Sequence, residues 1–290
     1  MIFMYMVFGE QLINHTQANF SILTALKQSS VSKVCVVTDV PNLYAALAKD
    51  ERVDVFSVES ETIQSWMGKH KLVYRTKMKA FQLVAEKYPN TSIVYLDSDT
   101  FVFGDLKEMN EDLDNNISFM HLPEGKLSEM SAKTMKVMWK ESKGKEVGGI
   151  VVNQDHKMWN AGVIGIPGKR LVETVDLALN VCDELCELNS RIRLVEQFSY
   201  SLVLTESGEL RNCDQWLGHY WGNKPGWDEF ILAFFAKSQI MGYQLSDQLE
   251  NINEEVLRSI PVHVKRSSTK SKLNKRLDKT FKDKPTYLKV

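Results

Sequence analysis

The chain has 290 residues, of which 43% are hydrophobic, 10% aromatic and 25% charged. This composition is typical of a soluble globular protein, and it excludes a disordered chain, a collagen and a disulfide-rich scaffold. The formal net charge of −1 argues against a protein that binds nucleic acid through its overall charge.

The near-zero total hides an uneven distribution of charge along the chain. Ten lysines or arginines and two aspartates fall between Lys265 and Val290, which gives this segment a net charge of +8. The remaining 26 basic and 35 acidic residues give residues 1–264 a net charge of −9. We therefore expect one acidic domain over residues 1–264 and a basic tail over residues 265–290.

Short apolar runs alternate with amphipathic segments through the first hundred residues. Strands are predicted at Ile2–Phe8, Lys33–Thr38, Val53–Val58 and Ser92–Leu96. Helices are predicted for a segment that bears Phe20, Leu23 and Leu26, around Leu43–Ala48, and at Lys77–Lys87. This alternation predicts an α/β fold with a mainly parallel sheet covered by helices. Ligands bind at the carboxyl ends of the strands in such sheets, so the residues that follow each strand are the candidates for function.

The pattern is looser in the second half of the chain. Strands are predicted at Asn116–His121 and Trp159–Ile166, and helices at Lys169–Leu188 and Pro225–Leu249. In the tail, Leu273, Leu277 and Phe281 recur every four residues among lysines. A basic helix with such a stripe is typical of a peripheral contact with an anionic membrane. A solvated extension, a nucleic-acid contact and docking onto the acidic domain are the alternatives.

The cysteines and the N-terminus predict a cytoplasmic protein, at the inner face of a membrane if the tail binds there. Ile2–Phe8 lacks the basic flank and cleavage site of a signal peptide, and the sequence has no run of about 18 apolar residues. Cys182 and Cys186 are spaced like half of a metal site, but no CxxC or histidine is spaced to complete it. Buried thiols in a reducing compartment are the favoured interpretation.

Two aspartates directly follow the fourth predicted strand. The apolar run Ile93–Leu96 precedes Asp97, Ser98 and Asp99. Two carboxylates two residues apart in a turn can converge on a hard divalent cation, which prefers oxygen ligands. The alternative is an ordinary turn that ends the strand. The second pair in the sequence, within Asp112–Asp114, follows a polar stretch and is interpreted as a solvated turn.

An Asp-x-Asp pair after a strand also opens the phosphohydrolases of haloacid-dehalogenase type, in which the first aspartate is the nucleophile. That family's segment resembles Asp-x-Asp-Gly-Thr and lies on its first strand. Here Thr100 and Phe101 follow the pair, and 96 residues precede it. The phosphohydrolase is therefore the less favoured enzyme class.

Four segments, in order, resemble those of the GT-A glycosyltransferases of family 8, the glycogenin and galactosyltransferase group. They are Leu96–Val102 (the family's DxD segment), Trp159–Val163 (FNxG), Glu196-Gln197 (Asp-Gln in the family) and His219–Trp227 (HxxGxxKPW). The resemblance spans roughly residues 1–235. It implies a Rossmann-like nucleotide-diphosphosugar transferase fold with a mixed, mostly parallel sheet. It also implies transfer of a hexose from a UDP- or GDP-sugar to a sugar or glycan acceptor, with retention of anomeric configuration.

The resemblance also implies a role for individual residues. The metal ligands would be Asp97, Asp99 and His219, the groups beside the reacting sugar Gln197, Glu196 and Asn160, and the donor-binding residues Lys77, Ser98, Asn160, Gly162, Gly222 and Lys224, with Arg75 as the alternative to Lys77. Glycosyl transfer is faster when a cation neutralises the leaving diphosphate, and two carboxylates with an imidazole suit Mn²⁺ or Mg²⁺.

Two departures from the family pattern bear on function. Glu196 replaces the usual aspartate, and Lys224 comes one residue early, with Gly226 before Trp227. A non-catalytic protein that binds nucleotide sugars or glycans on the same fold is therefore the alternative from a different class.

Overall fold

The computed structural model describes residues 1–188 and 194–264, together with positions 273, 276, 277 and 280. The predicted membrane-binding tail over residues 265–290 therefore lies, apart from those four positions, outside the described residues. None of the helices in the described part combines the length and apolar composition needed to cross a bilayer.

Strands and helices alternate along the chain as predicted. The strands are β1 (Ile2–Met6), β2 (Lys33–Thr38), β3 (Val53–Ser57), β4 (Ile93–Leu96), β5 (Thr100–Val102), β6 (Ser118–Met120), β7 (Pro123–Lys126), β8 (Glu146–Val147), β9 (Ile150–Val151), β10 (Lys157–Trp159), β11 (Val163–Ile166), β12 (Leu210–Asn212) and β13 (Leu217–His219). The α-helices are α1 (Leu12–Leu26), α2 (Ser60–Trp66), α3 (Arg75–Lys87), α4 (Lys107–Asp114), α5 (Lys133–Ser142), α6 (Leu171–Leu188), α7 (Val195–Glu206), α8 (Lys224–Met241), α9 (Leu245–Asn251) and α10 (Glu254–Ser259).

Seven strands form the central sheet in the order β12-β6-β11-β4-β1-β2-β3. Strands β4, β1, β2 and β3 are parallel to one another, and β12 is parallel to β6. Only β11 among the strands of this sheet runs against its neighbours β4 and β6. The predicted α/β fold with a mixed, mostly parallel sheet is confirmed.

Both faces of the sheet are covered, which explains why its central strands are apolar throughout rather than alternating. Along β1, Ile2 and Met4 belong to one core and Phe3 and Tyr5 to the other. The first core also contains apolar residues of α3, α6 and α7, and the second those of α1, α4 and α8. The sheet is thus the middle layer of a three-layer sandwich.

Three predicted elements are divided in the structure. The segment around Leu43–Ala48 forms two short 3₁₀ helices, the first beginning at Pro41. The single strand predicted at Trp159–Ile166 is two strands, β10 and β11, which belong to different sheets. The helix predicted at Pro225–Leu249 ends at Gly242, whose φ of 67° is left-handed, and α9 follows.

The interpretation of Asp112–Asp114 as a solvated turn is wrong. These residues form the last turn of α4, and Leu113 is buried on its inner face. Arg211 Nη1 donates to Asp112 Oδ2 at 2.6 Å, so this carboxylate has a structural partner. An amphipathic helix with one buried apolar residue per turn explains the pattern that the polar sequence obscured.

Candidate active site

Strand pairing brings three distant segments together at the end of β4. Strand β11 pairs antiparallel with β4, and Asp97 N donates to Gly162 O at 2.8 Å. Strand β13 pairs antiparallel with β5, which places His219 opposite Thr100. The DxD, FNxG and HxxG segments therefore meet at the carboxyl edge of the sheet.

Asp97, Asp99 and His219 are close enough to share one cation. One ligand atom from each lies within 4.8 Å of the others. Within residues 1–188 and 194–264, this is the group of histidine, cysteine, aspartate or glutamate side chains that meets this distance. His219 Nε2 is 3.4 Å from Asp99 Oδ1 and 4.0 Å from Asp97 Oδ2. Asp99 and His219 are buried, and a buried carboxylate is stable only when it is paired with a charge or binds a cation.

Asn160 fixes the orientation of the His219 ring. Asn160 Oδ1 accepts a hydrogen bond from Gly162 N at 3.0 Å and lies 2.9 Å from His219 Nδ1. Because a carbonyl oxygen only accepts, Nδ1 must carry a proton, and Nε2 is the nitrogen that faces the two carboxylates. A ring held through its other nitrogen is the usual arrangement of a metal-binding histidine. The residues present therefore fit a divalent cation.

Gly162 makes room for this ring. A Cβ atom at Gly162 would lie 2.2 Å from His219 Nδ1 and 2.3 Å from Cε1, closer than any real contact. The imidazole of His219 thus occupies the space that a side chain at position 162 would need.

Two lysines neutralise the aspartates. Lys77 is 5% exposed, and its Nζ lies 3.0 Å from Asp97 Oδ1 and 3.2 Å from Glu196 Oε1. Lys224 Nζ lies 2.9 Å from Asp99 Oδ2. Burial alone would lower the pKa of Lys77, but Asp97 and Glu196 outweigh it and raise that pKa, so this lysine stays charged.

The two buried carboxyl groups of the site are shifted in opposite directions. Burial opposes ionisation of Asp99, but hydrogen bonds and charges from His219 and Lys224 hold its pKa well below the usual range. Burial raises the pKa of Glu196 to about 7, and the charge of Asp97 adds to this while Lys77 counteracts it. Perturbed carboxyl groups of this kind are typical of functional sites.

The site opens into a cavity of about 850 Å³. The predicted residues that line it are Lys77, Asp97, Ser98, Asp99, Asn160, Gly162, Glu196, Gln197, His219 and Lys224. Gly222 lies outside the lining, and Arg75 pairs with Asp183 on α6 at 2.8 Å. At the cavity wall Tyr74 and Trp221 are half-exposed, at 50% and 56%.

A C-terminal strap, defined here as residues 260–264, lies against the loop that carries Lys224. Gly222 forms a β-bridge with His263, and a Cβ at Gly222 would lie 2.4 Å from His263 Cδ2. Asn223 Nδ2 donates to Pro261 O at 2.7 Å, and the Trp221 and His263 rings are 5.6 Å apart. Gly222 therefore packs against the strap rather than lining the cavity.

Sequence reasoning missed two residues of the site. Tyr95 OH donates to Asp97 Oδ1 at 2.8 Å; a tyrosine two residues before the aspartate, in an otherwise aliphatic strand, was the available signal. Glu124, on β7, accepts hydrogen bonds from Asn160 and Gln197. Its neighbours Pro123 and Gly125 give no sign of this role, because the contact depends on the tertiary fold.

Solved structures of glycosyltransferases are similar to this chain. The galactosyltransferase LgtC, in complex with donor and acceptor sugar analogues, is 15% identical with a TM-score of 0.46, and 73% of each chain is covered. Mouse xyloside xylosyltransferase 1 is 12% identical with a TM-score of 0.44, over 73% of this chain and 84% of that one. GlyE of Streptococcus pneumoniae is 14% identical with a TM-score of 0.42, over 82% and 50%. No protein-family profile matches the sequence, and no curated protein is significantly similar to it.

Proposed function

We propose that this chain is a metal-dependent GT-A glycosyltransferase, of the family 8 type, over residues 1–264. It moves a hexose from a UDP- or GDP-sugar to a sugar or glycan acceptor and retains the anomeric configuration. The observation that carries the proposal is the group of Asp97, Asp99 and His219 at the carboxyl edge of the sheet, with Asn160 fixing the histidine, in a cavity large enough for a substrate.

The charges of the site suit a diphosphate leaving group. Asp97, Asp99 and His219 would hold Mn²⁺ or Mg²⁺, and the imidazole favours Mn²⁺. The bound cation would neutralise the negative charge that develops on the diphosphate. The Lys224 side chain lines the cavity and is 45% exposed, and its ammonium group pairs with Asp99. We expect this ammonium group to turn to a phosphate oxygen when a diphosphate binds.

Lys77 and other buried polar side chains line the cavity. Lys77 Nζ also donates to Ala161 O at 3.2 Å, so its ammonium group is held at a fixed point. We assign Lys77, Ser98, Asn160 and Gly162 to the donor, and Asn160, Glu196 and Gln197 to the reacting sugar. A preorganised charge that needs no reorientation stabilises a polar transition state better than a mobile one does.

Nucleotide release tests the proposal. We expect the purified chain to release nucleotide from a UDP- or GDP-sugar only when Mn²⁺ or Mg²⁺ is present, and Asp99→Ala to lower the rate at least about 100-fold. Asp114→Ala, at the exposed second aspartate of the Asp-x-Asp in α4, is the matched control and should leave the rate unchanged.

Each alternative gives its own result in this experiment. Metal-dependent binding of a nucleotide sugar without turnover favours the non-catalytic binding protein. Release of inorganic phosphate from a phosphomonoester, lost in Asp97→Asn, favours the phosphohydrolase. Absence of both nucleotide release and nucleotide binding contradicts the glycosyltransferase.

The basic tail completes the proposal. We infer that residues 265–290 attach the protein peripherally to an anionic membrane at its cytoplasmic face. The sequence of this segment supports the inference through its net charge of +8 and its apolar spacing. Nucleic acid is not the partner that we assign to it, because the rest of the chain carries −9.

A further inference from the structure

Glu124 holds two amide side chains of the cavity wall at once. Its Oε1 accepts a hydrogen bond from Asn160 Nδ2 at 3.1 Å. Its Oε2 accepts one from Gln197 Nε2, also at 3.1 Å. All three side chains line the cavity. One carboxylate on β7 therefore bridges the turn between β10 and β11 and the first turn of α7.

The bridge determines which end of each amide faces the substrate. A carboxylate only accepts hydrogen bonds, whereas a side-chain amide donates at one end and accepts at the other. Because Glu124 takes the donor end of both amides, each carbonyl oxygen points away from it. For Asn160 this direction is fixed a second time, by Gly162 N and by His219 Nδ1. Among residues 1–188 and 194–264, the hydrogen-bond partner of the Gln197 side-chain amide is Glu124.

We propose that Glu124 is a positioning residue that makes Gln197 present its carbonyl oxygen, rather than its NH₂ group, to the substrate. A carbonyl oxygen accepts a hydrogen bond from a sugar hydroxyl and stabilises positive charge, and an NH₂ group does neither. The substrate group that faces Gln197 is therefore a hydroxyl or a carbon that gains positive charge. This consequence rests on the proposed function, whereas the orientation of the amide does not.

Glu124→Gln tests the proposal with almost no change in shape. Asn160 keeps its orientation because Gly162 and His219 hold its carbonyl oxygen, so the new amide keeps its oxygen towards Asn160 Nδ2. The NH₂ group of the new amide then faces Gln197, which has to turn over to offer an acceptor. The substitution thus reverses the orientation of the Gln197 side-chain amide without replacing Gln197 itself.

The first measurement is NMR of the side-chain amides in the ¹⁵N-labelled full chain, without metal or substrate. We expect the Gln197 NH₂ signal, assigned by its absence in Gln197→Ala, to show the downfield shift of a hydrogen bond to a carboxylate. In Glu124→Gln this shift should disappear. In Glu129→Gln, an equal change of charge at an exposed residue nearby, it should persist. An unchanged Gln197 signal in Glu124→Gln overturns the proposal.

The second measurement is turnover. We expect Glu124→Gln to lower kcat about 10- to 100-fold, with the donor KM and the Mn²⁺ affinity within about twofold of the wild type. Adding Glu124→Gln to Gln197→Ala should lower kcat no further, because Glu124 acts through Gln197. Losses that multiply would overturn the proposal. A wild-type chain without transferase activity contradicts only the proposed function, since the NMR measurement still decides the orientation.

Discussion

Gly162 keeps His219, the proposed metal ligand, in position by having no side chain. We expect Gly162→Ala to displace the His219 ring, because the new methyl group would lie 2.2 Å from Nδ1. The hydrogen bond to Asn160 Oδ1 would be lost with the displacement. The affinity for Mn²⁺, measured by titration calorimetry, should fall about 10- to 100-fold.

Gly165→Ala on β11 is the control for this substitution. Its methyl group would lie 3.1 Å from Phe119 Cβ, on the side of the sheet where Met109 and Leu113 pack. The variant should lose some stability by crowding the core but should bind Mn²⁺ as the wild type does. Equal Mn²⁺ affinity in Gly162→Ala and the wild type would contradict the packing explanation.

Glu196 makes the stability of the fold depend on pH. Burial, with the charge of Asp97, raises its pKa to about 7, compared with 4.5 in the unfolded chain. Between these values the folded state binds more protons than the unfolded state, so the free energy of unfolding decreases as the pH rises. The contribution of Glu196 is complete below about pH 4.5 and is lost as the pH passes 7.

Urea unfolding at pH 5 and at pH 8, with EDTA present, measures this effect. Glu196→Gln should lose less stability than the wild type between the two values, by on the order of 2 kcal/mol. The exposed Glu129→Gln should behave like the wild type. A pH dependence that is the same in Glu196→Gln and the wild type would exclude a raised pKa.

At the scale of elements, Gly242 divides the last long helical segment. Its φ of 67° is a left-handed conformation that ends α8, and nothing lies within 4 Å of a Cβ built there. Gly242→Ala should therefore lower the free energy of unfolding through backbone strain alone, by about 1 kcal/mol. Gly242→Asn should cost less, because asparagine tolerates this conformation better. Equal stability of all three proteins by urea titration would contradict the strain.

The sequence predicts every strand of the central sheet except β12, but it does not predict which strands pair. The runs 93–96 and 34–37 are apolar because both faces of the sheet are covered, and this shows in the sequence. The division between β10 and β11 does not show, because apolar residues continue on both sides of Asn160. It results from a change of pairing partner, which is a tertiary property.

Some residues of the candidate site could likewise be predicted from the sequence, and others could not. Asp97, Asp99 and His219 could be predicted because each lies in a short segment that resembles a known motif. Glu124 could not be predicted, since its partners Asn160 and Gln197 are 36 and 73 residues away in the sequence. Motifs reveal the groups that meet the ligand, and the fold reveals the groups that hold them.

At the scale of the whole molecule, the charges of the tail predict a change in membrane binding. Replacing Lys272, Lys275 and Lys279 by glutamine should lower the partition coefficient onto anionic vesicles, measured by sedimentation, about 100-fold. Each basic residue near the surface contributes about 1 kcal/mol to the free energy of membrane binding. Replacing the exposed Lys133, Lys136 and Lys140 of α5 changes the charge equally and should have little effect. Equal sedimentation of the two triple variants would contradict a membrane-binding tail.

The strap gives the tail a fixed starting point. Val264 N lies 3.4 Å from Gly222 O, and His263 packs on Trp221 at the cavity wall. A surface bound by the residues that follow Val264 is therefore tethered beside the opening of the cavity. Tethering converts an encounter between two molecules into one within a single assembly, which raises the local concentration of any acceptor anchored in that surface. An acceptor of low affinity would then be glycosylated efficiently on a membrane and slowly in solution.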